Sequence, residues 1–445
     1  MTLNMNKYKT LLILYISVLM LTFPSCLNTP VSETEVSDDP SLLSLKFKAN
    51  DSILHLDEAI FTIDDDNGLV YNVDSLPYLT RVDSVIPEFS FASTAASLLF
   101  VEDDTIYLTG NDTIDFTRRP MRLLNYAADG IHSKEYSISV NVHQVNPDLY
   151  MWEQMCAQAS QREGSAQKML MKEDIFYFFL GNGLRNYLYT SANAREWTET
   201  GISGLPNDID FRQMQCFDGK FYVVASGMLY VSENGQTWTA QSVTGVAFVD
   251  LLFTFHKALW AVVNIGEESN YFAQSADGIT WNIVAGVPAQ FPVADYAALA
   301  FLSRTNTEKA IVMGGVSSTG ETLNTRWCTE DGKLWINYSV EQPNFTSLTG
   351  ASILQYDDKL LMFGGVDKDN NSLNGQLFES VDEGLNWTIP DTLHNRYPQG
   401  YEVRNSPSVI LDKHQYIYVA GGYTRTKIYT DVWRTKLNKV DFVKK

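Results

Sequence analysis

Basic residues are in short supply: 33 Lys and Arg stand against 53 Asp and Glu, a formal net charge of −20. A surface of that sign repels phosphate backbones, which argues against nucleic acid as a partner. Histidine is scarce too, at six in 445 residues, and His256, His394 and His414 fall at no metal-ligand spacing. Cysteine is scarcer still, with Cys26, Cys156, Cys216 and Cys328 spread too widely for a disulfide framework. The apolar run at residues 11–23 is shorter than the roughly 18 residues a bilayer-spanning helix needs. Aromatics are not scarce. The 23 Tyr, 23 Phe and 9 Trp favour strands over helices. The chain is also too long for one ordinary core, so two domains or a repeat array are expected.

Residues 1–26 read as a targeting segment: Lys7 and Lys9, the apolar run, then Phe23-Pro24-Ser25-Cys26. That ending resembles the lipobox of bacterial lipoproteins, which implies lipid attachment at Cys26. Phe23 and Pro24 depart from the usual pattern, and an ordinary signal peptide with an incidental cysteine is the alternative. Residues 27–40 carry Glu33, Glu35, Asp38 and Asp39 without apolar periodicity and read as an acidic flexible tether. By resemblance to lipoproteins with such tethers, an outer-membrane location with display at the cell surface is expected, the lipid being the only membrane contact.

Residues 41–146 show short alternating segments between turn signals. Ser44 to Lys48 alternates, Ala59 to Ile63 runs into the turn Asp64-Asp65-Asp66-Asn67-Gly68, and Tyr136 to Val142 has one polar face. This suits an immunoglobulin-like β-sandwich, without the Cys…Trp…Cys core of antibody domains.

Residues 147–445 repeat six times. Each unit is read as beginning with an apolar strand, such as Phe176 to Phe179 or Leu259 to Val262. A strand with an aromatic in register follows, at Tyr189, Tyr230, Phe272, Trp327, Phe378 and Trp433. A period of about 40 to 50 residues with several strands in each predicts a six-bladed β-propeller, so the whole chain is expected to be all-β. The sixth unit stops short of an outer strand, while Tyr150-Met151-Trp152 stands unpaired before the first. Residues 149–154 are therefore expected to complete blade six; Val440 to Phe442 is the alternative.

Five units share a turn, typified by Ser232-Glu-Asn234-Gly235-Gln-Thr-Trp238 and Ser275-Ala-Asp277-Gly278-Ile-Thr-Trp281. These turns resemble the Asp-box of sialidases, although four of the five are one residue short. The last three units carry Gly314-Gly315, Gly364-Gly365 and Gly421-Gly422, and the sixth adds Tyr429-Thr-Asp431-Val-Trp433, which resembles kelch repeats. With Asp74 to Pro77, Asp112 to Phe116 and Val140 to Gln144, the chain resembles an uncharacterised family of lipoproteins from Gram-negative gut anaerobes. That resemblance implies an N-terminal β domain and a kelch-like propeller, and brings no established activity.

No catalytic residue stands out. A sialidase would need an arginine triad, and the nearest match to its first motif is Phe211-Arg212-Gln213-Met214, lacking the proline. Asp367, Asp369 and Asn371 offer the first alternating oxygens of a Ca²⁺ loop, but Ser372 replaces the turn glycine. Solvated turns are the competing explanation, and no cofactor is assigned. The longest loop leading to an inner strand, residues 390–406, holds Arg396, Tyr397, Tyr401 and Arg404, a mixture suited to carbohydrate or peptide contacts. The expected function is a non-enzymatic propeller that binds a glycan or protein. A glycan hydrolase with its site on the central face, or a structural subunit of an envelope complex, are the alternatives.

Overall fold

The computed structural model describes residues 36–53, 56–266, 269–341, 346–373, 377–389 and 396–438. Cys26 and the expected leader lie outside these residues, as does the stretch 440–442. The chain divides into two compact units, residues 1–145 and 146–445, and both are built from strands.

In the N-terminal unit, Leu42–Phe47 pairs with Pro87–Phe91 in a two-stranded sheet. A six-stranded sheet runs, in spatial order, Thr62–Asp64, Leu69–Tyr71, Ser133–Ser139, Met121–Tyr126, Ala96–Val101 and Asp104–Tyr107. The expected Asp64–Gly68 turn joins its first two strands, with Thr62 opposite Tyr71. Tyr136 ties the two sheets together. Its hydroxyl accepts the Leu42 N–H at 2.9 Å and donates to Asp65 at 2.6 Å. The core collects the inward positions of both sheets, among them Leu45, Phe47, Val70, Leu99, Leu123 and Ile138. The end of the acidic tether is held against this unit, since Ser93 Oγ donates to the Asp39 carbonyl at 2.7 Å.

The described residues of the C-terminal unit form six antiparallel sheets, numbered I to VI in chain order. Sheet I comprises Ala166–Lys172, Ile175–Gly181, Asn186–Ser191 and Thr198–Thr200. Sheets II to V follow with inner strands Gln215–Phe217, Ala247–Phe255, Ala297–Leu302 and Thr349–Tyr356. Sheet VI joins Ser408–Leu411, Ile417–Ala420 and Val432–Leu437 to Tyr150–Cys156, which comes from before sheet I. Residues 149–154 thus complete the sixth sheet, as their unpaired aromatics suggested.

One expectation needs correction. The apolar strand of each repeat, such as Ile175–Gly181 or Ala258–Asn264, is the second strand of its sheet and not the first. The strand before it is innermost and meets the centre of the ring. Several of these inner strands carry polar residues among the apolar ones, Lys168, Asp250, Ser352 and Ser408 among them. The aromatics of the third strands are where the repeat put them. Tyr189 faces Phe178, Phe272 faces Val262 and Trp433 faces Val419.

Inner strands of successive sheets touch one another all the way round, and sheet VI touches sheet I. Between each neighbouring pair lies an apolar cluster. Phe179, Phe211 and Phe221 fill the gap between I and II, and Trp260, Phe272 and Trp335 that between III and IV. Met155, Phe176 and Tyr418 close the seam between VI and I.

The two glycine signatures face opposite neighbours, the turn glycine the preceding sheet and the first glycine of each pair the following one. In the Asp-box-like turns, Asn234 Oδ1 accepts the N–H groups of Gln236 and Thr237 at 2.9 and 3.0 Å, and Trp238 Nε1 donates to the Gly235 carbonyl at 2.9 Å. The turn glycine presses on the preceding sheet: Gly235 on Phe179, Gly278 on Tyr222, Gly332 on Trp260. The paired glycines press on the following sheet instead. Gly314 meets Leu348, Gly364 meets Arg404, and Gly421 meets Gln167 across the seam.

Candidate functional site

All six sheets contribute to the wall of a cavity of about 280 Å³. Sheets V and VI line it with small residues, among them Gly350, Ala351, Ser352 and Ser408, while sheets I to IV supply its charges. Those charges are Lys168, Asp210, Arg212, Asp250 and Asp295, accompanied by Tyr296. Asp210, Arg212, Asp295 and Tyr296 belong to loops that enter an inner strand from the preceding outer strand. Lys168 and Asp250 lie within the inner strands themselves.

Local sequence explains the placement. Phe211 is fully buried with its ring 5.5 Å from that of Phe179, and its neighbours Asp210 and Arg212 line the cavity. Arg212 Nε lies 2.9 and 2.8 Å from the two Asp210 oxygens, and Nη1 pairs with Asp295. Burial works against the charge on Arg212, but Asp210 and Asp295 outweigh it and raise the pKa. This arginine is paired with two carboxylates. Gln213 Nε2 continues the link to sheet IV by donating to the Tyr296 carbonyl at 3.0 Å.

Asp250 has a different environment. The Tyr296 hydroxyl donates to it at 2.8 Å, and its own oxygen caps the Leu251 N–H at 2.9 Å. Burial in the channel nevertheless pushes the carboxyl up to about 7, with the nearby Asp210 charge adding to the effect. Lys168 shows the mirror image. Its ammonium makes no hydrogen bond or ion pair with the described residues, and burial lowers it to about 8 against the pull of Asp210 and Asp250. The cavity thus combines two carboxylates paired with one arginine, a carboxyl that changes charge near neutrality, and a lysine without an ion-pair partner among the described residues.

The loop singled out in the sequence lies elsewhere. Tyr397 and Tyr401 stack at 4.6 Å, and Trp152 packs on both. Arg404 is 1% exposed, paired with Asp431 and sandwiched between the rings of Tyr401 and Tyr429 at 4.4 and 3.8 Å. The structure therefore brings Tyr397, Tyr401 and Arg404 together as packing for sheet VI, while Arg396 is exposed. Further along the same loop, Ser406 does reach the cavity wall. At the other candidate, Asp367 accepts the N–H groups of Asp369 and Asn371 at 2.9 and 2.8 Å, so its carboxylate caps its own turn. No group of three or more His, Cys, Asp or Glu side chains is placed to hold a metal among the described residues.

Sequence reading passed over Lys168, Asp210, Asp250, Asp295 and Tyr296. It met Arg212 only as an imperfect sialidase motif. The available signal was a charge inside or just before a weakly apolar strand, beside a buried aromatic.

Two family models match the chain. One, described as the DUF6242 beta propeller domain, covers residues 146–445, and the DUF6242 N-terminal domain covers residues 32–140. The chain belongs to the DUF6242 family. Its C-terminal unit is a β-propeller of unknown function, and the cavity lies at the centre of that propeller. Among curated proteins, none matches the chain.

Proposed function

We propose that the propeller has six blades and binds a small, hydroxyl-rich ligand, the end of a glycan, in its central cavity. The carrying observation is the convergence of all six sheets on one polar space of about 280 Å³. That volume lies near the lower limit of ligand pockets, about 300 Å³, so it suits roughly one sugar ring rather than a folded partner. Its donors and acceptors of both signs suit hydroxyl groups. The N-terminal unit is read as an immunoglobulin-like sandwich that carries the propeller, on the strength of its two sheets and their shared core. The leader ending at Cys26 and the acidic tether support a lipoprotein displayed at the cell surface. In that setting the function is capture rather than chemistry.

A second reading, hydrolysis of a glycan, draws on one observation. Asp250 is pushed to about 7, and Asp210 and Asp295 stand beside it paired with Arg212, so the cavity offers a proton donor and further carboxylates. Screening the full-length protein on a panel of host and plant glycans, with product release read in parallel, separates the two. Binding without release supports capture; release supports the hydrolase; silence on both removes the cavity as a glycan site.

A further inference from the structure

Resting on the glycan-binding reading, we propose that the cavity selects an acidic sugar, whose carboxylate pairs with Lys168 Nζ while Asp250 donates to the same end of the ligand. Arg212 is already paired with two carboxylates, Asp210 on its Nε side and Asp295 on its Nη1, so its charge is largely offset within the cavity. Lys168 is the other cation of the cavity, and it faces the space with no ion pair to the described residues. A half-buried ammonium without an ion-pair partner is unfavourable. A lysine kept there is accounted for by an anion that arrives with the ligand.

The carboxylates fit the same assignment. Asp210 and Asp295 are neutralised in part by Arg212, so the remaining acid facing Lys168 is Asp250. Asp250 changes charge near neutral pH, and Tyr296 already donates to it. When protonated, it becomes a donor toward the ligand and stops competing with it for Lys168. Sheets V and VI contribute no titratable group to the wall, leaving small side chains and Ser352 and Ser408 around the sugar ring. The groups that set the pH response are therefore Lys168, Asp210, Arg212, Asp250, Asp295 and Tyr296. An anionic ligand favours the protonated forms of Lys168 and Asp250, so binding weakens as pH rises through about 7 to 8.

The test is titration of the full-length protein with glucuronate and galacturonate, with glucose, galactose and glucosamine for comparison, at pH 6 and pH 9. The acids should bind and the neutral sugars bind more weakly, with acid affinity falling about tenfold or more between the two pH values. Lys168→Met should weaken the acids about tenfold or more, as loss of a charge-assisted bond does. Its melting temperature should hold or rise, because an unpaired charge is removed. Asp250→Asn, which keeps a donor, should flatten the pH profile. Equal affinity for acid and neutral sugars, or acid binding that survives Lys168→Met, overturns the proposal. Binding of neutral sugars alone overturns it and leaves the glycan reading standing. Preference for glucosamine overturns it and gives the cavity to cations. Failure of every sugar removes the glycan reading with it.

Discussion

The Tyr296 hydroxyl donates to Asp250 across 2.8 Å, joining the entry of sheet IV to the inner strand of sheet III within the propeller's cavity. Burial still raises the Asp250 carboxyl to about 7, so between pH 4 and 7 the folded protein holds a proton that the unfolded chain releases. Stability from this group is present below the unfolded value and is lost as pH rises through the folded one. Asp250→Asn keeps the oxygen that accepts from Tyr296 and cannot ionise. It should therefore come closest to the natural protein near pH 4, and its advantage should widen toward pH 7.5 by about 1–2 kcal/mol, allowing for water in the channel. Urea unfolding at the two pH values measures the gap; a gap that does not change with pH refutes the assignment.

Gly332 and Gly235 hold the same place in two Asp-box-like turns, with φ of 71° and 74°. A Cβ on Gly332 would lie 1.9 Å from Trp260 Cη2, whereas one on Gly235 would come no closer than 3.0 Å to Phe179. The left-handed backbone costs either alanine about 1–2 kcal/mol. Gly332→Ala also forces a fully buried indole aside, so its total loss should reach about 3 kcal/mol or more. Gly235→Ala should lose clearly less. Thermal melts of both variants give the order, and equal losses would mean that these turns do not press on the preceding sheet.

The contrast between these glycines shows what the sequence makes legible. The turns, the paired glycines and the aromatic of each third strand recur because each makes the same kind of contact wherever it occurs, as Trp327 opposite Val312 and Phe378 opposite Met362 show. Repetition exposes them. The closing strand was also readable, since Trp152 needed a sheet to join. The cavity was not readable, because its residues do not repeat: the inner strand carries lysine in sheet I, aspartate in sheet III and serine in sheets V and VI. Their meaning comes from facing one another across a ring, and that relationship has no period. Aromatics and arginine in one loop looked like a site, yet Arg404 and Tyr401 are buried against each other.

Asp277 accepts the backbone N–H of Thr280 at 2.7 Å and that of Ile279 at 2.8 Å, and these bonds, with Ser275, hold its carboxyl well below the usual range. A depressed acid contributes stability above the unfolded pKa and loses it as pH falls through the folded one. Asn193 and Asn234 fill the same position in other turns, so Asp277→Asn should fold normally. The variant should be less stable than the natural protein at neutral pH, with the difference shrinking below about pH 3. Denaturant midpoints at pH 7 and pH 2.5 decide it; a difference that persists in acid would show that the charge is not the source.

Val432 faces Cys156 where the strand from before sheet I joins sheet VI. Cys156 is a free, half-buried thiol beside a bulge in this ladder, and directly opposed residues of antiparallel strands have Cα atoms about 4.5–5.5 Å apart, within disulfide range. Val432→Cys should therefore form a crosslink on mild oxidation, locking the seam that otherwise depends on this ladder and on Gln167. Gln167 accepts the Gly422 N–H at 2.8 Å and donates to the Tyr429 carbonyl at 3.0 Å. When reduced, the variant should be slightly less stable than the natural protein, because a fully buried valine loses volume. Oxidised, it should gain about 2–4 kcal/mol over its reduced form, since the bond joins distant parts of the chain. Peptide mapping of positions 156 and 432, with melts in the presence and absence of reductant, tests both halves. Absence of the crosslink would mean that the two strands do not meet in solution. A crosslink that leaves the melting temperature unchanged would place the weakest seam of the ring between two other sheets.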